Sequence, residues 1–234
     1  MRGGSRAKAP VVPEPPSTEL GWLLQEARAA QAMALLLMRG RPPVFRYAGR
    51  LEMQAGAPLL EDQLRAMLAD ALPATIVDRA ARHGLVDEVA EIGGAGRVRA
   101  TLYREAGGTA ASLRPIPPPA PDLAALNLPP AARDLARARS GLSLVAGGAL
   151  SGRTTTLAAL LESINQTRAC HIVTVEQPGE ILLEPKRGRI SRFEIGPDVP
   201  DAAAAVESAL RADADVIALG SMDDAASIFA ALQA

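Results

Sequence analysis

The chain has 234 residues, a net charge of −1 and an isoelectric point near 6.2; this length suits one large or two small domains, and the balanced charge gives no electrostatic ground for a nucleic-acid partner, whose phosphates need a basic surface. One cysteine, Cys170, rules out an internal disulfide and fits a reducing compartment. No apolar run nears the ~20 residues of a spanning helix, and Pro13, Pro15 and Pro16 follow the basic N-terminus where a signal peptide needs an apolar core, so a cytoplasmic protein is expected.

Residues 1–17 lack any apolar period and read as a flexible tail. Ser17, Thr18 and Glu19 offer caps for a helix running to about Met38, with Met33, Leu35–Leu37 and Met38 on its core-facing side, before Gly40-Arg41-Pro42-Pro43 ends it. Val44–Tyr47 and Arg50–Met53 flank Ala48-Gly49 as a hairpin. Leu64, Met67 and Leu68 share one face of a helix over 60–72, and Pro73 restarts a second helix reaching His83-Gly84. Val86–Ile92, a glycine turn at 93–96, and the alternation of Val98, Ala100 and Leu102 with Arg97, Arg99, Thr101 and Tyr103 predict half-buried strands. Another strand covers Gly108 to Arg114. These elements predict a small α+β domain over 18–116. Pro115, Pro117, Pro118, Pro119 and Pro121 then form a stiff connector, and a short helix falls within 123–139, so that 117–140 joins two domains.

From Gly141 the rhythm becomes α/β. Leu142–Ala146 reads as a buried strand, and helices are expected over 154–165, 201–212 and 223–232. Val206, Ala209 and Leu210 would lie together on the second of these. Strands are expected at 171–176, 192–195 and 216–219, the last of them buried. Strands alternating with helices imply a mainly parallel sheet.

Between the first strand and helix stands Gly147-Gly-Ala-Leu-Ser-Gly-Arg-Thr-Thr-Thr156. Gly147, Gly152 and Thr154 have the spacing G-x-x-x-x-G-K-[S/T] of a phosphate-binding loop, with Arg153 at the lysine position. Backbone N–H groups at such a turn, and the positive end of the helix, suit a phosphate.

With Leu157-Ala-Ala-Leu-Leu161, Glu176-Gln177-Pro178 and Gly220-Ser221-Met222-Asp223-Asp224, this stretch resembles the type II/IV secretion ATPase superfamily, in its twitching-motility, pilus-retraction branch. Gly96-Arg97-Val98-Arg99 and Leu113-Arg114-Pro115 resemble that family's N-terminal domain, so the similarity runs from about residue 20 to 234. It implies an α/β fold: a P-loop, RecA-like parallel-sheet domain over 141–234, C-terminally shortened, preceded by a small α+β, PAS-like domain. It implies ATP and Mg²⁺ as ligands, nucleotide contacts from Gly147, Ser151, Gly152, Arg153, Thr154 and Thr155, and a metal contact from Thr154. Arg97, Arg99 and Arg114 match arginines of which some reach a neighbouring subunit's nucleotide.

The departures concern the chemistry. Arg153 replaces the loop lysine, Leu150 a loop glycine, Gln177 the second acid of the acidic box, Ser221 the glutamate that activates water, and Asp223 an arginine. The chain ends at Ala234, where family members continue, and a truncated domain with exposed apolar surface is expected. Arg153 either grips phosphate as a forked cation or is a solvated helix-start residue. Glu176 either holds a water or Mg²⁺ or is a solvent-facing carboxylate. Arg97 and Arg99 either face a neighbour's nucleotide or line a solvated strand face. Cys170, His83 and His171 have no ligand spacing. The resemblance implies a pseudo-ATPase that docks on a full-length motor ATPase, on its own copies in a ring, or on an inner-membrane pilus component, in the cytoplasm or peripheral at the inner membrane. A slow ATPase or ATP-sensing switch is the alternative.

Overall fold

The computed structural model describes residues 15–106, 108–116, 121–148 and 151–234. Most of the N-terminal tail, Leu150 and the prolines at 117–119 lie outside the described residues. Two units divide between Pro115 and Ile116.

The first unit is a six-stranded antiparallel sheet ordered β3-β2-β1-β6-β5-β4, with three helices. Helix α1 (Glu19–Ala29) begins at the Thr18 side chain, which accepts the N–H of Gly21 at 3.1 Å. It stops well short of Met38, because Gln31 turns to φ 55° and Ala32 bonds back to Ala27. The Leu35–Leu37 run is therefore strand β1 (Ala34–Met38) and not the core-facing helix expected. Three consecutive leucines carry no helical period, and β1 finds a ladder on both sides. Leu35 stands opposite Phe45 of β2 (Val44–Tyr47) and opposite Leu113 of β6 (Gly108–Pro115). The hairpin of β2 with β3 (Arg50–Met53) forms as its turn residues indicate.

Helix α2 (Glu61–Ala71) buries Leu64, Met67 and Leu68, and α3 (Ala74–His83) buries Ile76 and ends at Gly84. They pack with Leu20 and Leu24 on the sheet face carrying Val98, Ala100 and Leu102 of β5 (Gly96–Glu105) and Val86, Ala90 and Ile92 of β4 (Leu85–Ile92). Each fully buried leucine there contributes roughly 1.5–3 kcal/mol.

In the second unit a 3-10 turn (Leu123–Leu126) and α4 (Ala131–Arg137) precede α5 (Arg153–Thr167). The sheet is parallel, with β7 (His171–Glu176) between β8 (Arg189–Glu194) and β9 (Val216–Leu219). Alternation on β7 sends Ile172 toward α5 and Val173 and Val175 toward α6 (Ala202–Arg211). Val206 and Ala209 of α6 are buried as expected, whereas Leu210 is 46 % exposed. Strand β9 is half-buried except at Ala218, because β7 is its one ladder neighbour among the described residues. Helix α7 (Ala225–Gln233) follows, with the Asp224 side chain capping it and α6 beside it.

The connection from β7 to β8 has no helix. It is strapped to α5 by Asn165, whose amide donates to the Glu184 carbonyl at 2.7 Å and accepts the Lys186 N–H at 3.0 Å. Lys186 in turn pairs with the buried Glu162 of α5. No helix among the described residues is long and apolar enough to cross a membrane.

Candidate functional site

Residues 142–146 do not form the buried strand expected. They have no regular secondary structure and no ladder partner, Leu142 and Leu144 are 51 % and 63 % exposed, and Val145 alone of them packs on the α5 core. A strand needs a neighbour to hydrogen-bond, and neither outer edge of the sheet ordered β8-β7-β9 is paired with this segment. The loop itself keeps its glycine logic. A Cβ on Gly147 would run into the Ser151 side chain, and Gly152 holds φ +90°. The Ser151 N–H reaches the Gly148 carbonyl at 3.3 Å, and α5 starts immediately after Gly152 without a side-chain cap. The first N–H groups of a helix have no intrahelical acceptor, so those of Arg153, Thr154 and Thr155 are the donors this turn presents. Arg153 and Thr154 are exposed and Thr155 is half-buried.

Helix α5 ends at Thr167 and β7 begins at His171, so the helix runs back along the strand. Fifteen helical residues span about 22 Å and six strand residues about 20 Å. The start of α5 therefore lies at the end of the sheet where β7 and β9 finish. Glu176, Gly220 and Ser221 stand at that same end. The Gly220 N–H donates to the Val175 carbonyl at 2.8 Å, and a Cβ on Gly220 would sit 3.3 Å from Cγ of Glu176. The three motifs read from the sequence thus gather at the carboxyl end of a parallel sheet, where such sheets bind ligands.

Glu176 is not the solvent-facing carboxylate of one reading, since it is buried at the end of β7. Its carboxylate is 5 % exposed, and Oε2 accepts the backbone N–H groups of Glu180 and Ile181, both at 2.9 Å. It pins the turn that follows β7, an interaction four and five residues ahead that no spacing rule announces. Ser221 is exposed and its hydroxyl donates to Oδ2 of Asp223 at 2.8 Å. Two residues below Glu176, the Thr174 hydroxyl is buried with no partner among the described residues. His171 bridges Ser191 and the Ala212 carbonyl through its two ring nitrogens, at 2.8 and 3.1 Å.

The backbone around α5 has features a phosphate needs: Gly152 at φ +90°, Gly147 close against Ser151, a helix start, and the exposed Arg153 and Thr154 beside it. At the strand ends, Glu176 holds the turn after β7 and Ser221 donates to Asp223.

The three arginines lie in the first unit. Arg99 is half-buried, and its Nε donates to both Asp87 oxygens, at 3.0 and 3.2 Å. Thr101 donates to Oδ1 of Asp87 at 2.8 Å. Burial works to raise the Asp87 carboxyl, but the hydrogen bonds from Arg99 and Thr101 and the charges of Arg99 and Arg114 hold it below its ordinary range. Arg114, opposite Arg99 in the ladder, is exposed. Arg97 is half-buried, and its carbonyl accepts Nη2 of Arg28 at 2.8 Å. Asp87 was missed from the sequence, although the turn at 93–95 sets a register that places it across from Thr101 and diagonal to Arg99.

Residues 105–234, more than half of the chain, match the family described as type II/IV secretion system protein. Over 194 residues the chain is 34 % identical to the uncharacterized protein YggR of Escherichia coli, covering 82 % of this chain and 58 % of that protein. Over 203 residues it is 32 % identical to the type IV pilus retraction ATPase PilT of Pseudomonas aeruginosa, covering 87 % of this chain and 59 % of that protein. The crystal structure of the pilus retraction motor PilT with bound ADP superposes with a TM-score of 0.81 at 31 % identity, covering 93 % of this chain and 64 % of that one. The chain thus spans under two thirds of the length of each of these relatives.

Proposed function

The chain belongs to the type II/IV secretion system protein family, in its pilus-retraction ATPase type, and from that premise we propose that it is a pseudo-ATPase: a docking or regulatory subunit with weak or no ATP hydrolysis. The observation that carries this is at the end of β9. Where the family has a glutamate, Ser221 offers a hydroxyl already donating to Asp223. Hydrolysis needs a group that takes a proton from the attacking water or orients it, and a serine hydroxyl is no base at neutral pH. The engagement of Glu176 by the Glu180 and Ile181 N–H groups points the same way. Losing one such group commonly lowers rates by ~10²–10⁴.

In this reading residues 18–116 are a PAS-like domain, 117–140 a linker, and 141–234 a RecA-like domain whose role is recognition. Partners are a full-length motor ATPase of the same family, further copies in a ring, or an inner-membrane pilus component. Its place is the cytoplasm, or peripherally the inner membrane.

A second reading, an ATP-sensing switch with slow turnover, is favoured by Gly147 and Gly152 in the turn and the open start of α5. There Gly147, Ser151, Gly152 and Thr155 would cradle phosphates, Arg153 would supply the cation, and Thr154 would meet Mg²⁺.

Titration of a fluorescent, non-hydrolysable ATP analogue with Mg²⁺, beside a phosphate-release assay, separates the two. The docking role predicts no measurable release and binding weaker than micromolar. Micromolar binding lost in Arg153→Ala favours the switch. Robust Mg²⁺-dependent release, abolished by the same substitution, overturns the pseudo-ATPase.

A further inference from the structure

Arginines from three separate segments meet at the end of α5 far from the glycine turn. The strap reaches that end as Lys186-Arg187-Gly188-Arg189. The Arg187 and Gly188 N–H groups donate to the Asn165 carbonyl at 2.9 and 3.2 Å, and the Arg189 N–H donates to the Cys170 carbonyl at 2.9 Å. Gly188 is buried, and a Cβ there would stand 3.2 Å from both Asn165 Oδ1 and the Cys170 carbonyl oxygen. The turn therefore fits closely against α5 and holds Arg187 and Arg189 on either side of it, both exposed. From the helix side, Nη1 of Arg168 donates to the Ala138 carbonyl at 3.0 Å, which brings the end of α4 and the exposed Arg139 to the same place.

Lys186 and Arg137 are neutralised nearby, by Glu162 and Asp134. Arg139, Arg168, Arg187 and Arg189 have no ion pair among the described residues. Two carboxylates adjoin them. Asp215 accepts the His171 N–H at 2.8 Å and, like Arg168, acts on the Cys170 thiol. It precedes β9, two strand spacings or about 10 Å across the sheet from Arg189 at the start of β8. Glu184 stands two residues before Lys186. The balance at this end is positive. Within 131–141, 163–171 and 184–192, Leu135 is the one exposed large apolar side chain and His171 the one aromatic ring.

We propose that this arginine cluster is a docking surface for an anionic phospholipid bilayer, each guanidinium meeting headgroup phosphates through its fork of N–H donors. This names the ligand for the peripheral membrane placement and rests on that part of the reading; it is independent of ATP turnover. The end of α5 does not itself call for four cations. Its carbonyls at Ser163, Ile164 and Asn165 already accept the Thr167 hydroxyl, the Arg168 N–H and the two strap N–H groups. A partner helix needs an apolar stripe to cover, and one leucine is exposed here. Single-stranded nucleic acid needs aromatic rings for stacking, and a duplex is held by more phosphate contacts than these arginines supply. Lipids diffuse laterally, so their phosphates come to cations presented by separate segments at any spacing.

The test is co-sedimentation of the full chain with vesicles of phosphatidylcholine and phosphatidylglycerol, about 7:3, against phosphatidylcholine alone. Capture by the anionic vesicles alone is expected, at least tenfold weaker when NaCl rises from about 50 to 500 mM. Arg187→Ala/Arg189→Ala keeps the backbone bonds to α5 and is expected to bind at least tenfold more weakly. Arg187→Lys/Arg189→Lys, which keeps the charge, is expected to stay within about twofold of wild type. Arg41→Ala/Arg46→Ala, an equal loss of charge at exposed positions of the first unit, is expected to bind as wild type does. Equal capture by neutral vesicles keeps a membrane placement but overturns this surface, and no capture by either overturns both. Undiminished capture of the Arg187/Arg189 alanine variant also overturns it. So does a Leu/Glu amphipathic peptide or duplex DNA that binds more tightly than the anionic vesicles and is lost in that variant. None of these outcomes bears on ATP turnover, so the nucleotide assay judges the pseudo-ATPase separately.

Discussion

The Glu176 carboxylate accepts the backbone N–H of Ile181 at 2.9 Å, and the neighbouring Glu180 N–H joins it on the same oxygen. Ile181 is itself 4 % exposed and packs in the α5 core. A residue expected to face solvent or a metal is thus an anchor for the strap between β7 and β8.

Glu176→Ala should therefore destabilise the protein by roughly 2–4 kcal/mol, since it strands two backbone donors away from water. Glu176→Gln, which keeps an acceptor, should lose less than half of that. Urea unfolding of both variants measures it; an alanine variant as stable as wild type would return Glu176 to a purely ligand-facing role.

Thr174 gives the opposite sign. Its hydroxyl is buried without a partner among the described residues. Thr174→Val has the same shape and removes the unpaired group, so stability should hold or rise by about 1 kcal/mol. A loss above that in thermal melts would mean the hydroxyl has a partner, such as a buried water.

Arg99 and Arg114 should separate by role. Arg99→Ala leaves a half-buried Asp87 without its forked partner and should cost about 1–2 kcal/mol. Arg114→Ala, at an exposed position, should stay within about 0.5 kcal/mol of wild type. Arg114 is then the arginine free to serve recognition without a stability penalty. The reverse ranking in urea melts would contradict the observed pairing.

Acid should reveal Glu61. The hydroxyl and N–H of Thr109, with Arg65 behind them, hold its carboxyl down to about 2, from an ordinary value of 4.5. The folded state then binds fewer protons than the unfolded chain between those values. Its stabilisation is fully present above pH 4.5 and is lost as pH falls toward 2. Solvent screens the site, so about 1 kcal/mol is expected from it. Glu61→Gln should flatten the stability profile in that window and leave its slope above pH 5 unchanged.

Patterns that are local were legible in the residues alone. The Ala48-Gly49 hairpin, the alternation of β5, the apolar face of α2, the glycine turn before α5 and the αβ rhythm after Gly141 each depend on neighbours a few positions away. Such preferences act over one turn or one pleat, and a sequence displays them directly. Three matters were decided only in the folded molecule. Leu35–Leu37 became a strand because β2 and β6 stand on either side to receive its ladder. Leu142–Ala146 stayed unpaired, joined to neither open edge of the three-stranded sheet. Glu176 turned inward because the chain folds back to bring two N–H donors to it. In each case a backbone or buried polar group takes its partner from elsewhere in space, and the residue string does not record which one arrives.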